Sequence, residues 1–464
     1  MRKSALLILG IIMLVIGMVG LGEKTFERKQ FYWANAYGGE SFDYATAVAV
    51  TPDGEVVVAG QTRSFGAGYE DVWVIKLKAN GSVKWQKTYG GKLFDAVGAI
   101  ALTKDGDVII AGDSTSFDTS AGNAWVLRLD KDGNIKWQRT YGGKYGDYAR
   151  AVAVADNGDI IVAGYTLSFG AGNADVWVLR LDENGNIKWQ KTYGSRDDEY
   201  ATAIAITPEG DIIVVGSTFS SGAGDWDIMV LRIDKNGNVK WQKTCGGKKM
   251  DEASSVALAK NGDILVAGST HSFGAGNKDV WILRLDRDGN VKWQKTYSGP
   301  GRDSAYAIAI TPDNDIIVAG ETNSFGAGNL DVWILKLNEN GNVKWQKTYG
   351  GESDDWAAAI AVTPEGDIVA AGSTFNFGTV GGNFWVLKLP PDGSFPSISK
   401  DSNATITEPS IQTSNFKVEI SSSDIEVAES WASVQDSNAT ITIVKASKNA
   451  ETSTYQQTAT ASQS

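Results

Sequence analysis

Trp33, Trp85, Trp137, Trp189, Trp241, Trp293 and Trp345 stand 52 residues apart, and the spacing never slips. A fixed period of this length marks one supersecondary unit that buries its apolar face only by packing against copies of itself. Seven such units run from 31 to 394. Length alone would predict two or three domains for 464 residues, but one repeat accounts for most of the chain. Any fold proposed for it must therefore be built from seven near-equal parts.

Each unit reads as four strands, A to D. In the second unit strand A is near Val97–Leu102, B is Asp107–Ala111, C is Trp125–Leu129 and D is Ile135–Tyr141. Val, Ile, Thr and Trp dominate these segments, the residues that suit a pleated, half-buried surface. Between A and B lie Asp53-Gly54, Asn157-Gly158 and Glu209-Gly210, several of them preceded by Thr-Pro, as at Thr51-Pro52. Between C and D lie Asp132-Gly133, Asn184-Gly185 and Asn236-Gly237. Such dipeptides supply the positive φ that tight hairpins require, and Pro presets the first corner of a turn.

Four antiparallel strands per unit and seven units predict an all-β, seven-bladed β-propeller. An open all-β solenoid is the alternative. Closure is favoured by the phase of the ends. Phe31–Gly39 is a strand D with no A, B or C before it, and at the other end Ala357–Thr363, Asp367–Ala371 and Phe384–Leu389 supply A, B and C. The next Trp would fall at position 397, which is Ser397. The N-terminal strand is therefore expected to complete the last blade and remove its open edge.

The segments DIIVAGST, FGAG, DVWVLRLD and GNVKWQKTYGG, repeated over the units, resemble the SBBP-type β-propeller repeat family of extracytoplasmic proteins. Their C–D portion is also similar to the tryptophan motif of pyrroloquinoline-quinone propellers. The resemblance implies the fold strongly and the function weakly.

Several recurring residues invite a chemical reading. Asp43, Asp95, Asp147, Glu199, Asp251, Asp303 and Asp355 occupy one position just before strand A. On an innermost strand these carboxylates would ring the channel mouth, where they could hold a hard cation such as Ca²⁺. Alternatively each closes a turn or pairs with a recurring cation of the series Lys76, Arg128, Arg180, Arg232, Arg284, Lys336 and Lys388. The turns Asp130–Asn134 and Asp286–Asn290 resemble half a Ca²⁺ loop, but no distal Glu follows and a hairpin turn explains them. The loop Ser64-Phe-Gly-Ala-Gly68 and its copies have the glycines of a phosphate cradle, yet no helix or Lys follows. No cofactor is expected.

Tryptophans repeated in nearly every unit are read as packing between blades: the Trp33 series, and Trp73, Trp125, Trp177, Trp281, Trp333 and Trp385 with Met229 in the fourth unit. Trp226 and Trp356 fall outside both series. They are the candidate ligand-binding residues, with Asp355 beside Trp356. His271 and Cys245 are single in the chain. A Cys/His zinc site and an internal disulfide are thereby excluded. His271 shares its position with Arg63, Ser116, Leu167, Phe219, Asn323 and Phe375, which suits a solvated site, and Cys245 replaces a recurrent Tyr.

The ends differ from the repeats. Arg2 and Lys3 precede an uncharged run from Ala5 to Gly22. Residues 1–30 are read as a signal peptide or an N-terminal anchor, both of which place the rest outside the cytoplasm. Residues 395–464 are rich in Ser and Thr, repeat DSNATIT at 401–407 and 436–442, and are expected to be largely disordered. Asn80, Asn403 and Asn438 head glycosylation sequons. The net charge of −12 argues against nucleic acid. The expected function is a non-enzymatic scaffold or recognition module of the cell surface, monomeric, with a surface protein or glycan as partner. A carbohydrate-binding propeller is the first alternative and a quinoprotein-like or lyase-type enzyme the second, disfavoured because near-identical blades leave little asymmetric chemistry.

Overall fold

The computed structural model of the protein describes residues 31–117, 121–395 and 398, together with eight short strands between Ser399 and Gln457. The chain divides into two units, Met1–Phe31 and Tyr32–Ser464. The apolar run Ala5–Gly22 lies outside the described residues, as do Asn403 and Asn438. Among the described residues there is no helix.

The protein is a seven-bladed β-propeller. Blade 1 comprises strands Asp43–Val50, Val56–Thr62, Asp71–Leu77 and Val83–Gly90, paired antiparallel in that order. The same A-B-C-D order recurs through blade 6. Blade 7 takes A, B and C from Asp355–Val362, Ile368–Thr374 and Asn383–Leu389, and D from Trp33–Gly38. The two ends of the repeat array thus meet in one sheet, as the phase of the sequence requires.

No blade has a core of its own. The apolar cluster of Val57, Val72, Val74 and Tyr89 from blade 1 is completed by Val108, Ile110, Trp125 and Leu127 from blade 2. At the seam, Trp33, Tyr37, Val369 and Phe384 of blade 7 pack with Val56, Val58 and Trp73 of blade 1. Strands B and C of blade 1 are buried along their whole length because neighbouring sheets cover both faces, and in the other blades at most one residue of each is half-buried. The second tryptophan series sits in this packing. Trp73 lies 5.2 Å from Phe65 and Trp125 lies 5.3 Å from Phe117, each Phe coming from the Gly-rich loop of the same blade. Blade 4 changes both partners at once, to Ser221 and Met229.

Polar hooks add direction to this packing. The Trp85 indole donates to the Lys131 carbonyl at 3.0 Å, in the C–D turn of the next blade, and Tyr89 donates to Gly133 at 2.6 Å. The same pair recurs as Trp137 to Glu183 and Tyr141 to Gly185, and across the seam as Trp33 to Ala79 and Tyr37 to Gly81. A third donor joins them. Arg128 bonds Asp107 of its own blade at 2.8 Å and the Glu183 carbonyl of the next at 2.7 Å. One carbonyl thus accepts from an indole and a guanidinium together, using both lone pairs.

The recurring cations therefore do not serve the acids before strand A. Their carboxylate partners are Glu55, Asp107, Asp159, Asp211, Asp263, Asp315 and Asp367. These acids precede strand B, at the opposite end of the blade from the ring acids, and the register places them beside the cations on strand C. A bulge in strand D leaves Lys136 without a strand partner and brings it to the same Asp107 at 2.8 Å. The Asp130 turn closes on itself, its carboxylate accepting from the backbone of Asp132 and from Asn134.

Residues 395–464, read above as largely disordered, contain strands in their described part. Seven of these, from Ser399–Asp401 to Thr440–Val444, pair antiparallel with the D strands of the seven blades. Ser and Thr enrichment is a signature of solvated tails, but Thr, Val and Ile also favour extended pairing wherever an open edge is offered.

Two outcomes follow from this architecture. Tyr141→Phe removes one inter-blade hydrogen bond and leaves the Gly185 carbonyl without that donor, so unfolding stability should fall by about 1 kcal/mol. Deleting residues 1–38 removes the last D strand and its two hooks, and should lower the melting temperature of the whole propeller; an unchanged melting profile would show that the ring closes without it.

Candidate functional site

The strongest local signal is where the blades disagree. Strand A carries small apolar residues at alternate positions, such as Ala45, Val97, Ala149 and Ala201, and these barely change around the ring. The residues between them vary from blade to blade. The position after the ring acid is Tyr44, Ala96, Tyr148, Tyr200, Glu252, Ser304 and Trp356. Two residues on it is Thr46, Gly98, Arg150, Thr202, Ser254, Tyr306 and Ala358. In every blade the register of strand A against B slips at that second position. A bulge re-aims its side chain and sharpens the local twist, so each blade presents one freely varied residue from its innermost strand.

These positions gather at one mouth of the channel. Tyr200, Thr202, Trp226, Glu252, Lys278 and Tyr306 line a cavity of about 630 Å³. Phe42, Tyr44, Arg302, Glu321, Tyr306 and Trp356 line a second of about 490 Å³, which shares Tyr306 and Ala358 with the first. At the other end of strand A a cavity of about 500 Å³ is walled by the repeated turns Thr51-Pro52, Thr311-Pro312 and Thr363-Pro364. Four of the seven blades carry Thr-Pro at this end, while blades 2, 3 and 5 have Lys104, Asp156 and Lys260 in place of the Pro, and Lys260 also lines the cavity.

The variable mouth has two aromatic arcs. Tyr148, Tyr165, Tyr200 and Trp226 follow one another at centroid distances of 4.7, 4.6 and 5.3 Å. Trp356, Phe375, Phe42 and Tyr44 follow at 6.0, 5.7 and 5.1 Å. Ion pairs stand between the rings: Arg63–Glu70 at 2.8 Å, Arg150–Asp113 at 3.0 Å, Lys278–Glu252 at 3.1 Å and Arg302–Glu321 at 3.2 Å. Arg150 also lies over Tyr148 at 5.3 Å, a cation held on an aromatic face. Burial pushes the Asp113 carboxyl up even though Arg150 opposes it, and burial with Glu321 raises the Tyr306 phenol. Arrays of this kind offer flat apolar platforms edged by donors and acceptors of both signs.

Trp226 and Trp356, singled out in the sequence, are in the walls of these two cavities. Asp355 is not. It is fully buried and accepts from the Gly351 backbone at 2.9 Å and from Asn376 at 2.5 Å. The other ring acids are placed likewise. Asp43 accepts from Gly39 N at 2.8 Å and Ser64 Oγ at 2.7 Å, and also bonds Thr62. Asp95, Asp147, Asp251 and Asp303 repeat these bonds, and Glu199 reaches the same place with its longer side chain. The seven carboxylates close turns inside the blades rather than ringing the open mouth. Among the described residues no group of three or more His, Cys, Asp or Glu is spaced to hold a metal ion. The Gly-rich loop is likewise engaged, Gly68 N donating to Asp71 at 2.8 Å.

Tyr200, Tyr306, Arg150 and the four ion pairs were not picked out from the sequence. The signal that finds them is variation among the seven copies at strand A and at the ends of strands B and C. His271, on that same variable rim, is half-buried.

Two acids converge at most blade junctions. A methyl group on Gly90 would overlap Asp71 at 1.9 Å and Asp95 at 2.8 Å, so a larger residue fits only if the carboxylates shift; six blades have glycine here and blade 5 has the buried Ser298. Burial, opposed by the Gly68 N–H and reinforced by the Asp95 charge, pushes Asp71 up to about 6. Asp279, beside Asp303, is pushed up to about 6, and Asp355, beside Asp331, to about 7. The folded protein holds these protons to higher pH than the unfolded chain does. Their stabilising contribution is complete below the unfolded carboxylate pKa of about 4 and is lost as pH rises through 6 to 7. The melting temperature should therefore be higher at pH 5 than at pH 8. Blades 2 and 7 carry Asn123 and Asn383 where blade 1 has Asp71. Asp71→Asn should narrow that difference by raising the melting temperature at pH 8, and thermal scans at both pH values check it.

A family model names the same architecture. Residues 51–83 and 311–343 match the model of a family described as a domain of unknown function (DUF5122) beta-propeller. The chain is a β-propeller repeat protein. Its matched segments cover strands B and C, with the turns on either side, of blades 1 and 6. It is 23% identical over 176 residues to the regulatory protein FlaEY of Caulobacter vibrioides, a match covering 33% of this chain and 18% of that protein. Among solved structures it is similar to the Pan2 WD40 domain of Neurospora crassa, at 12% identity and a TM-score of 0.46, covering 76% of this chain and 97% of that one. It is also similar to the polysaccharide lyase Uly1, at 9% identity and a TM-score of 0.43, covering 81% and 95%.

Proposed function

We propose that this protein is a non-enzymatic recognition module of the SBBP-type propeller kind, displayed outside the cytoplasm, that binds its partner at the variable channel mouth. The observation that carries the reading is the division of labour among repeat positions. Residues that hold blades together are nearly constant around the ring, whereas those lining the two cavities differ from blade to blade. Duplicated units diverge where each must meet a different part of one asymmetric ligand. The polar groups of the mouth pair with one another across short distances, an arrangement that orients a ligand without needing a nucleophile or a base. Export is supported by Arg2 and Lys3 ahead of the apolar run Ala5–Gly22.

A glycan is the favoured ligand class. Two aromatic arcs beside carboxylates and cations supply platforms for the apolar faces of sugar rings and partners for their hydroxyls. A protein partner is the second reading, since aromatic and Arg residues also make the anchors of protein interfaces.

Glycan-array screening followed by calorimetry on the purified chain tests this. A saturable oligosaccharide should bind, and Trp226→Ala and Trp356→Ala should each weaken it about tenfold or more, as loss of an anchor worth about 1.4 kcal/mol or more requires. Binding left intact in the double variant would place the ligand elsewhere.

A further inference from the structure

The outer edge of each blade is a strand D with one side paired to strand C and the other side unpaired within the blade. Seven such edges around a ring are seven templates for adding a further strand. The described strands of the C-terminal region lie on them in strict succession. Ser399–Asp401 pairs with blade 6, Thr405–Thr407 with blade 5, Gln412–Ser414 with blade 4 and Glu419–Ser421 with blade 3. Glu426–Glu429 then pairs with blade 2, Ser433–Asp436 with blade 1 and Thr440–Val444 with blade 7.

A second observation, independent of that placement, is in the sequence itself. The two DSNATIT copies begin at Asp401 and Asp436, 35 residues apart, which is five steps of seven. Ile411, Val418 and Ile425 are spaced by seven, and so are Thr413, Ile420, Val427, Val434 and Ile441. The two sets are offset by two residues in the sequence. The second set holds one register position throughout. Ile420 stands opposite Tyr193, Val427 opposite Tyr141, Val434 opposite Tyr89 and Ile441 opposite Tyr37. These are the tyrosines that hook the neighbouring blade. The register advances by seven residues from one blade edge to the next, from Ser399 to Ile441, so that seven positions meet seven edges.

We propose that the seven strands from Ser399–Asp401 to Thr440–Val444 form a circumferential strap that occupies the outer edges of the chain's own blades, its register advancing seven residues per blade. It travels round the ring against the order of the blades. Its last strand lies on Trp33–Gly38, so the strand that closes the ring is held between Asn383–Leu389 on one side and Thr440–Val444 on the other. The strap removes the open edges and locks the seam from both ends of the chain.

Cysteine pairs in the full chain test the register. Arg139 and Glu429 are opposite one another, and Lys191 is the blade 3 counterpart of Arg139. Arg139→Cys with Glu429→Cys should form an intramolecular disulfide on mild oxidation, mapped by peptide mass spectrometry. Lys191→Cys with Glu429→Cys should give several-fold less. Equal yields from the two pairs, or none from the matched pair, would overturn the proposal. Disulfides found only between two molecules would also overturn it, by assigning the strap to a second copy of the chain. Because both exchanged positions lie at the outer rim, a control melting curve distinguishes a failed cross-link from a failed fold.

Discussion

The carbonyl of the second residue in each C–D turn is the point on which this ring is hung. It receives an indole N–H from the preceding blade and, in most blades, the charged end of a Lys or Arg as well. Two residues on, the carbonyl of the turn glycine receives a tyrosine hydroxyl. Apolar burial supplies most of the attraction between blades, but it is indifferent to small slides of one sheet across another. The hooks are not indifferent. Each reaches 44 or 46 residues along the chain to a backbone atom, so the pitch from blade to blade is fixed by atoms whose positions the turn itself fixes.

That rigidity makes the variable mouth possible. A frame whose constant residues are all committed to packing, turns and hooks leaves the alternate positions of strand A free to differ. The bulge in that strand then offers one residue per blade to a shared space. Seven small choices made on one stiff ring produce an asymmetric surface from a symmetric scaffold, with Arg150, Tyr306 and Ala358 occupying equivalent places. The opposite mouth varies less in shape, being walled largely by turns with Thr-Pro in four blades, although Lys260 replaces the Pro in blade 5.

Most of the fold was legible because its signals were repeated. The tryptophan spacing, the turn dipeptides and the out-of-phase ends specify blades, strands and closure without reference to any distant contact. Trp226 and Trp356 stood out as departures from the repeat. Other things were hidden. The ring acids look like a channel ligand set, and only the Thr, Ser and backbone donors around Asp43 reveal a turn closure. The partners of the recurring cations depend on strand register, which a list of conserved repeat positions does not contain. Tyr200 and Tyr306 are ordinary tyrosines in sequence and become neighbours of one cavity only when the ring closes. The Ser/Thr-rich region is ambiguous for a different reason: seven of its described strands pair with edges that another part of the chain supplies.

Cys245 occupies the place of the hooking tyrosine in blade 4, and its buried thiol stands where the other blades donate a phenol hydroxyl. The same blade has exchanged its Phe–Trp contact for Ser221 and Met229. The junction between blades 4 and 5 keeps its indole and guanidinium bonds but not the third tie. In a closed ring, every junction shares whatever load thermal motion or an attached partner applies. The ring is therefore not mechanically uniform: the junction of blades 4 and 5 carries one tie fewer than the junctions on either side of it.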